Sequence, residues 1–150
     1  MAKQPTNYTA PTNGILTELW YSTDGSAANL KQVFGVQSIP SAYTAKDDVT
    51  YTTLESDTEF ATKGRRTYES IEVSCLLYKE QFTALETLAA TNTDLTWYIK
   101  LPEITGTVIS WEGSLDIAMD EITDDMIMCI VKIGKSTVPV ILGSLPVASV

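Results

Sequence analysis

Carboxylates and two thiols are the side chains of this sequence that could do chemistry, because the chain contains no histidine. That removes the commonest general base, the Ser-His-Asp and Cys-His arrangements, and most zinc sites. A catalytic reading would rest on paired carboxylates, and Asp47-Asp48 and Asp124-Asp125 are the adjacent pairs available. Both stand in turn-like contexts, where aspartate commonly closes turns and caps helices. Cys75 and Cys129 fall inside apolar strand patterns, where a cysteine behaves as a small buried hydrophobe, and Cys75 lacks a basic partner nearby in sequence to activate it. Their wide spacing and the lack of a secretory context favour reduced core thiols over a disulfide. No GxGxxG or phosphate-cradling loop is present. The residues therefore argue against an enzyme and call for no metal or cofactor.

The carboxylates have a second pattern, which is positional. From Ile109 to Asp120 the chain alternates, with Ile109, Trp111, Leu115, Ile117 and Met119 on one side and Ser110, Glu112, Ser114, Asp116 and Asp120 on the other. A period of two specifies a strand with one apolar and one acidic face. Twelve residues at about 3.3 Å each span roughly 40 Å, longer than a usual strand, so this ribbon is expected to reach beyond the body of a small domain towards a surface shared by subunits. Ser70 to Tyr78 repeats the pattern, with Ile71, Val73, Cys75 and Leu77 opposed to Ser70, Glu72 and Ser74.

The elements that must carry these faces are mostly strands. Further strands are expected at Ile15–Tyr21, Gln32–Ile39, Val49–Leu54, Leu95–Leu101 and Thr137–Leu142, the last demoted to an edge by Pro139. Met126–Ile133 is apolar on both sides and so is expected to be central. The helix is Lys79–Thr91, whose Phe82, Leu85, Leu88 and Ala89 share one stripe. About eight strands to one helix specify a mainly β fold, a β-sandwich or half-barrel with one flanking α-helix.

At 150 residues the chain fits one domain and can bury about 68–70% of its unfolded surface. Residues 1–14, rich in Thr, Pro and Asn, read as an N-terminal arm; 15–142 as the β-domain; and 143–150 as a C-terminal tail. Within the domain, 55–67 is too polar and aperiodic to be core and reads as a long contact loop, with a basic spot at Lys63, Arg65 and Arg66. No charged side chain follows Lys135, and Val140, Ile141, Leu142 and Leu145 belong to an apolar end that needs covering. A net charge of −9 argues against gripping nucleic-acid phosphates. With no signal-peptide pattern and no apolar run of about 18 residues, a soluble product made in the cytoplasm is expected.

Two functional classes fit these features. Trp20, Tyr21, Trp97, Tyr98 and Trp111 could stack on sugars, as in a carbohydrate-binding β-sandwich module, although Trp97 and Trp111 occupy core-type positions. An extended leader, a long loop, an apolar tail and one-signed polar faces together favour a self-assembling structural protein.

The order of segments resembles the tail tube, or major tail, proteins of long-tailed bacteriophages. The resemblance runs from VFGVQSIP through VTYTTLESD, the loop EFATKGRR, the strand YESIEVSCLLY and the helix KEQFTALETLAA. It continues through LTWYIKLPE and VISWEGSLDIAMDEIT to MIMCIVKIG, covering residues 32–135. It implies hexameric rings stacked into a tube for DNA passage, each subunit giving four strands to a continuous inner barrel with the helix outside. Twenty-four strands at about 4.8 Å, tilted about 40°, would make a backbone cylinder roughly 48 Å across. On that reading Glu72, Glu112, Asp116 and Asp120 line the lumen beside Ser70, Ser74, Ser110 and Ser114, a hydrated wall without a cationic anchor. The 55–67 loop, with Lys63, Arg65 and Arg66, would reach a neighbouring ring or subunit, and the apolar tail around Val138–Val150, with Val140, Ile141, Leu142 and Leu145, would bury against an adjacent protomer. The implied partners are further copies of the chain, a tape measure protein, a tail terminator and a distal tail protein. DNA would pass without specific binding, and the protein would reside in the virion tail after assembly in the host cytoplasm.

Overall fold

The computed structural model describes residues 14–65, 69–102 and 106–146. Within them lie β1 (Glu18–Ser22), β2 (Leu30–Val33), β3 (Val36–Ser38), β4 (Asp48–Tyr51), β5 (Phe60–Lys63), β6 (Ile71–Leu76), α1 (Lys79–Ala89), β7 (Leu95–Lys100), β8 (Val108–Gly113), β9 (Leu115–Met119), β10 (Met128–Ile133) and β11 (Val140–Leu142). The fold is mainly β with one α-helix. Five strands form one open sheet in the order β11-β8-β7-β1-β2, and four form a second in the order β3-β6-β10-β9. The strands β4 and β5 form a separate hairpin. All pairings are antiparallel.

Both sheets contribute to one hydrophobic cluster. Leu19 and Tyr21 of β1, Leu95, Trp97 and Ile99 of β7, and Trp111 of β8 come from the five-stranded sheet; Ile71, Val73 and Cys75 of β6, Leu115 of β9, and Cys129, Val131 and Ile133 of β10 come from the other. Alternation along β6 and β10 turns Glu72 and Lys132 outward while these residues face the cluster. The helix adds Leu85, fully buried, with Phe82, Leu88 and Ala89 packed around it, and lies against β9. Met126–Ile133 contains the expected central strand, since β10 runs between β6 and β9.

Two expected strands each prove to be two. Gln32–Ile39 divides into β2 and β3 around Gly35, whose φ of 77° is readily adopted by glycine. The ribbon from Ile109 to Asp120 divides at Ser114, so β8 belongs to the five-stranded sheet and β9 to the four-stranded one. In place of one long protruding strand there is a corner. Sheets that share a core commonly exchange strands at such bends. The alternation could not reveal it, because Trp111, Gly113, Leu115 and Ile117 keep the same parity through the bend. Ile15–Tyr21 also starts later than expected. A turn closed from Thr17 N–H to Gly14 C=O, with Leu16 at φ 74°, occupies its first residues.

The corner is held by backbone closeness. A Cβ on Gly113 would run into the carbonyl group of Gly134, so the two segments can approach this closely only with glycine at position 113. The Trp97 indole N–H donates to Gly113 C=O at 3.2 Å, and that of Trp111 to Gly134 C=O at 3.1 Å. Both buried indoles thereby satisfy their one polar group. Gly134 N–H donates to Ser114 C=O at 2.9 Å, and Ser136 N–H to Glu112 C=O at 2.7 Å, completing the clasp.

Candidate assembly surfaces

The outer face of the four-stranded sheet carries two of the four acidic candidates. Antiparallel register sets Lys132 of β10 opposite Glu72 of β6 on one side and opposite Asp116 of β9 on the other. All three residues are exposed. The expected wall without a cation is thus corrected: an ammonium stands between two carboxylates, leaving the row one negative charge in excess. The next row is Ser74, Ile130 and Ala118, small or apolar. Asp120 lies just past β9, exposed, with its N–H donating to Met128 C=O at 3.1 Å.

Glu112 belongs elsewhere. It lies on β8, opposite Thr96 of β7 in the other sheet, and is itself exposed while Ser110 and Tyr98 on the same side are buried. The corner separates it from Asp116, so the four carboxylates do not share one sheet. Among the four serines expected beside them, Ser110 is buried, Ser74 is half-buried, and Ser70 and Ser114 are exposed.

The long loop expected at 55–67 is partly structured. Phe60–Lys63 is β5, pairing with β4 so that Tyr51 faces Phe60 and Asp48 faces Lys63. Every residue of both strands is exposed. The Tyr51 and Phe60 rings stack with centroids 5.5 Å apart, and Lys63 Nζ lies 2.6 Å from Asp48 Oδ1. At its base Asp47 N–H donates to Arg65 C=O and Gly64 N–H to Asp47 C=O. Periodicity missed β5 because a hairpin with no buried face has no apolar side to alternate. Within the basic trio, Lys63 is engaged across the hairpin, Arg65 is exposed, and Arg66 lies outside the described residues, as do residues 1–13 of the expected arm and 147–150 of the tail.

The apolar end closes its own chain's sheet in part. Strand β11 pairs with β8 in register Val140↔Ser110, Ile141↔Ile109 and Leu142↔Val108, making it an edge as Pro139 suggested. Val140, Ile141 and Leu142 nevertheless remain exposed, and Leu145 is half-buried. An open cavity of about 760 Å³ is lined by apolar and polar residues, among them Leu16, Val36, Ile109, Gln37 and Ser41.

The aromatic residues considered for sugar stacking are mostly core. Trp97, Trp111, Tyr21 and Tyr98 are buried, and Tyr21 packs on Trp97 at 5.6 Å; Trp20 is half-buried, its indole N–H donating to Glu18. The rings of those four are covered by packing. The paired aspartates differ in setting: Asp47 lies at the hairpin base and Asp48 opens β4, not the turn expected for them, while Asp124-Asp125 stand in an exposed bend where Asp125 N–H donates to Thr123 Oγ1. Among the described residues, no helix is long and apolar enough to cross a membrane.

Comparison with known protein families finds no match to this chain, and comparison with curated proteins finds none.

Proposed function

We propose that this chain is a structural subunit of a bacteriophage tail tube, its β-sandwich or half-barrel domain joining copies of itself into hexameric rings that stack around a DNA conduit. The observation that carries the reading is the four-stranded sheet β3-β6-β10-β9. One of its faces is core and the other carries the charged row Glu72, Lys132 and Asp116 beside small and apolar residues, and among the described residues neither terminal strand has a second strand partner. Unpaired strand edges are templates for pairing with another chain. Six copies, joined β3 to β9, would supply the 24 strands that the resemblance implies. Rotational closure would then leave no open edge in that sheet.

In this arrangement Glu72, Asp116 and Lys132 face the lumen, while Glu112 does not. Two carboxylates flanking one ammonium neutralise the cation locally and leave net repulsion towards phosphate. At a Debye length of about 8 Å that repulsion acts close to the wall, which keeps DNA from adhering without opposing its passage at a distance. The hairpin and the exposed β11 supply contacts between rings or subunits. Tape measure, terminator and distal tail proteins are the expected partners, the virion tail the expected location, and no catalysis or cofactor is involved.

The direct test is negative-stain electron microscopy of the purified protein at rising concentration. Rings or tubes of uniform width are expected; particles that stay single at all concentrations would reject the reading. A second test separates the two acidic faces. Asp116→Lys should leave tubes assembling but impair DNA ejection in phage complementation, whereas Glu112→Lys should leave ejection near normal. Equal ejection by both variants would remove the four-stranded sheet from the lumen.

A further inference from the structure

Cys75 and Cys129 are the only cysteines of the chain, and β6 and β10 place them directly opposite each other. Both point into the core and are 0% and 2% exposed. Two residues further along, Leu77 N–H donates to Ile127 C=O at 3.0 Å. The alternation of an antiparallel ladder then makes Cys75 and Cys129 a hydrogen-bonded pair, with Cα atoms about 5.5 Å apart. That separation falls within the range of about 4.4–6.8 Å that a disulfide spans, while the Cβ atoms of such a pair, about 5.5 Å apart, must draw in to about 3.5–4.5 Å as the bond closes. In the reduced chain each thiol faces a backbone carbonyl, Cys75 Sγ that of Val73 and Cys129 Sγ that of Leu76, both at 4.0 Å.

We propose that Cys75 and Cys129 form a cross-strand disulfide on exposure to a two-electron oxidant of the disulfide or azo class, tying β6 to β10 beneath the outer face of the four-stranded sheet. The inference does not depend on the tube reading. One thiol loses its proton and its sulfur adds to the oxidant; the second thiolate attacks that sulfur, the S–S bond forms, and the reduced oxidant leaves with two electrons and two protons. With an azo oxidant the product is the corresponding hydrazine. The protein ends two hydrogens lighter.

Burial controls the rate. It pushes the Cys75 thiol up to about 12, with Cys129 adding to the effect, and raises Cys129 as well. Little thiolate exists at neutral pH, so oxidation requires transient opening of the sheet and accelerates as pH rises. In the reduced protein the pair is protected, and once closed the bond is equally hard for an external thiol to reach.

The experiment treats the folded full chain with diamide, followed by intact mass and non-reducing peptide mapping. Expected are a loss of about 2 Da, a Cys75–Cys129 linked peptide, and a melting temperature above that of the reduced chain by less than the roughly 8–16 °C of an unstrained link. Cys75→Ser should show neither the mass loss nor the stabilisation. Two separate oxidant adducts, or dimers without the linked peptide, would overturn the proposal. So would a linked chain that melts below the reduced one, because the bond would then be forcing the strands out of register.

Discussion

Replacing Gly113 by alanine is expected to remove about 4 kcal/mol of stability, lowering the melting temperature by roughly 8–16 °C or preventing folding. The added methyl group would overlap the carbonyl group of Gly134, and neither partner is a side chain that can rotate away. Moving either backbone would disturb the bonds from Trp97 and Trp111 to these two carbonyls, and with them the link between β8 and β9. Gly134→Ala should cost less, since its Cβ would first meet the Ser114 hydroxyl, which can change rotamer. Gly143→Ala, with open space around the site, serves as the neutral control. Thermal denaturation followed by circular dichroism ranks the three. A Gly113→Ala protein melting within about 2 °C of the parent would show that the corner is not a close backbone contact.

That corner also marks the limit of what periodicity could reveal. The helix is legible because Phe82, Leu85, Leu88 and Ala89 must share a stripe to reach the core, and β6 is legible because its buried residues alternate with exposed or half-buried ones. A bend that preserves side-chain parity leaves no trace in the pattern, and the clue at residue 113 was only a glycine inside an otherwise regular strand. Lys132 escapes the pattern for a different reason. Its segment is apolar on both sides, and its place between Glu72 and Asp116 depends on strand pairing, a non-local property that alternation does not encode. The same pairing brings Cys75 and Cys129 together across a gap in sequence that had argued against their bonding.

The β4–β5 hairpin supports the second large effect. An isolated two-stranded hairpin is marginal in water, yet this one leaves Val49, Tyr51, Leu54 and Phe60 exposed and contributes no residue to the core cluster. Its Lys63–Asp48 pair is largely solvated and adds little. Changing Tyr51 and Phe60 together to serine should therefore leave the melting temperature of the monomer nearly unchanged. If the hairpin is covered by a neighbouring copy, the loss of two buried aromatic contacts should weaken assembly by about 4 kcal/mol per subunit, or roughly a thousandfold in the concentration needed for tubes. Sedimentation velocity and electron microscopy across a concentration series measure that shift, with thermal melting as the control for folding. Tubes forming at the parent concentration would take the hairpin out of the interface and leave the sheet edges β3, β9 and β11 to carry assembly alone.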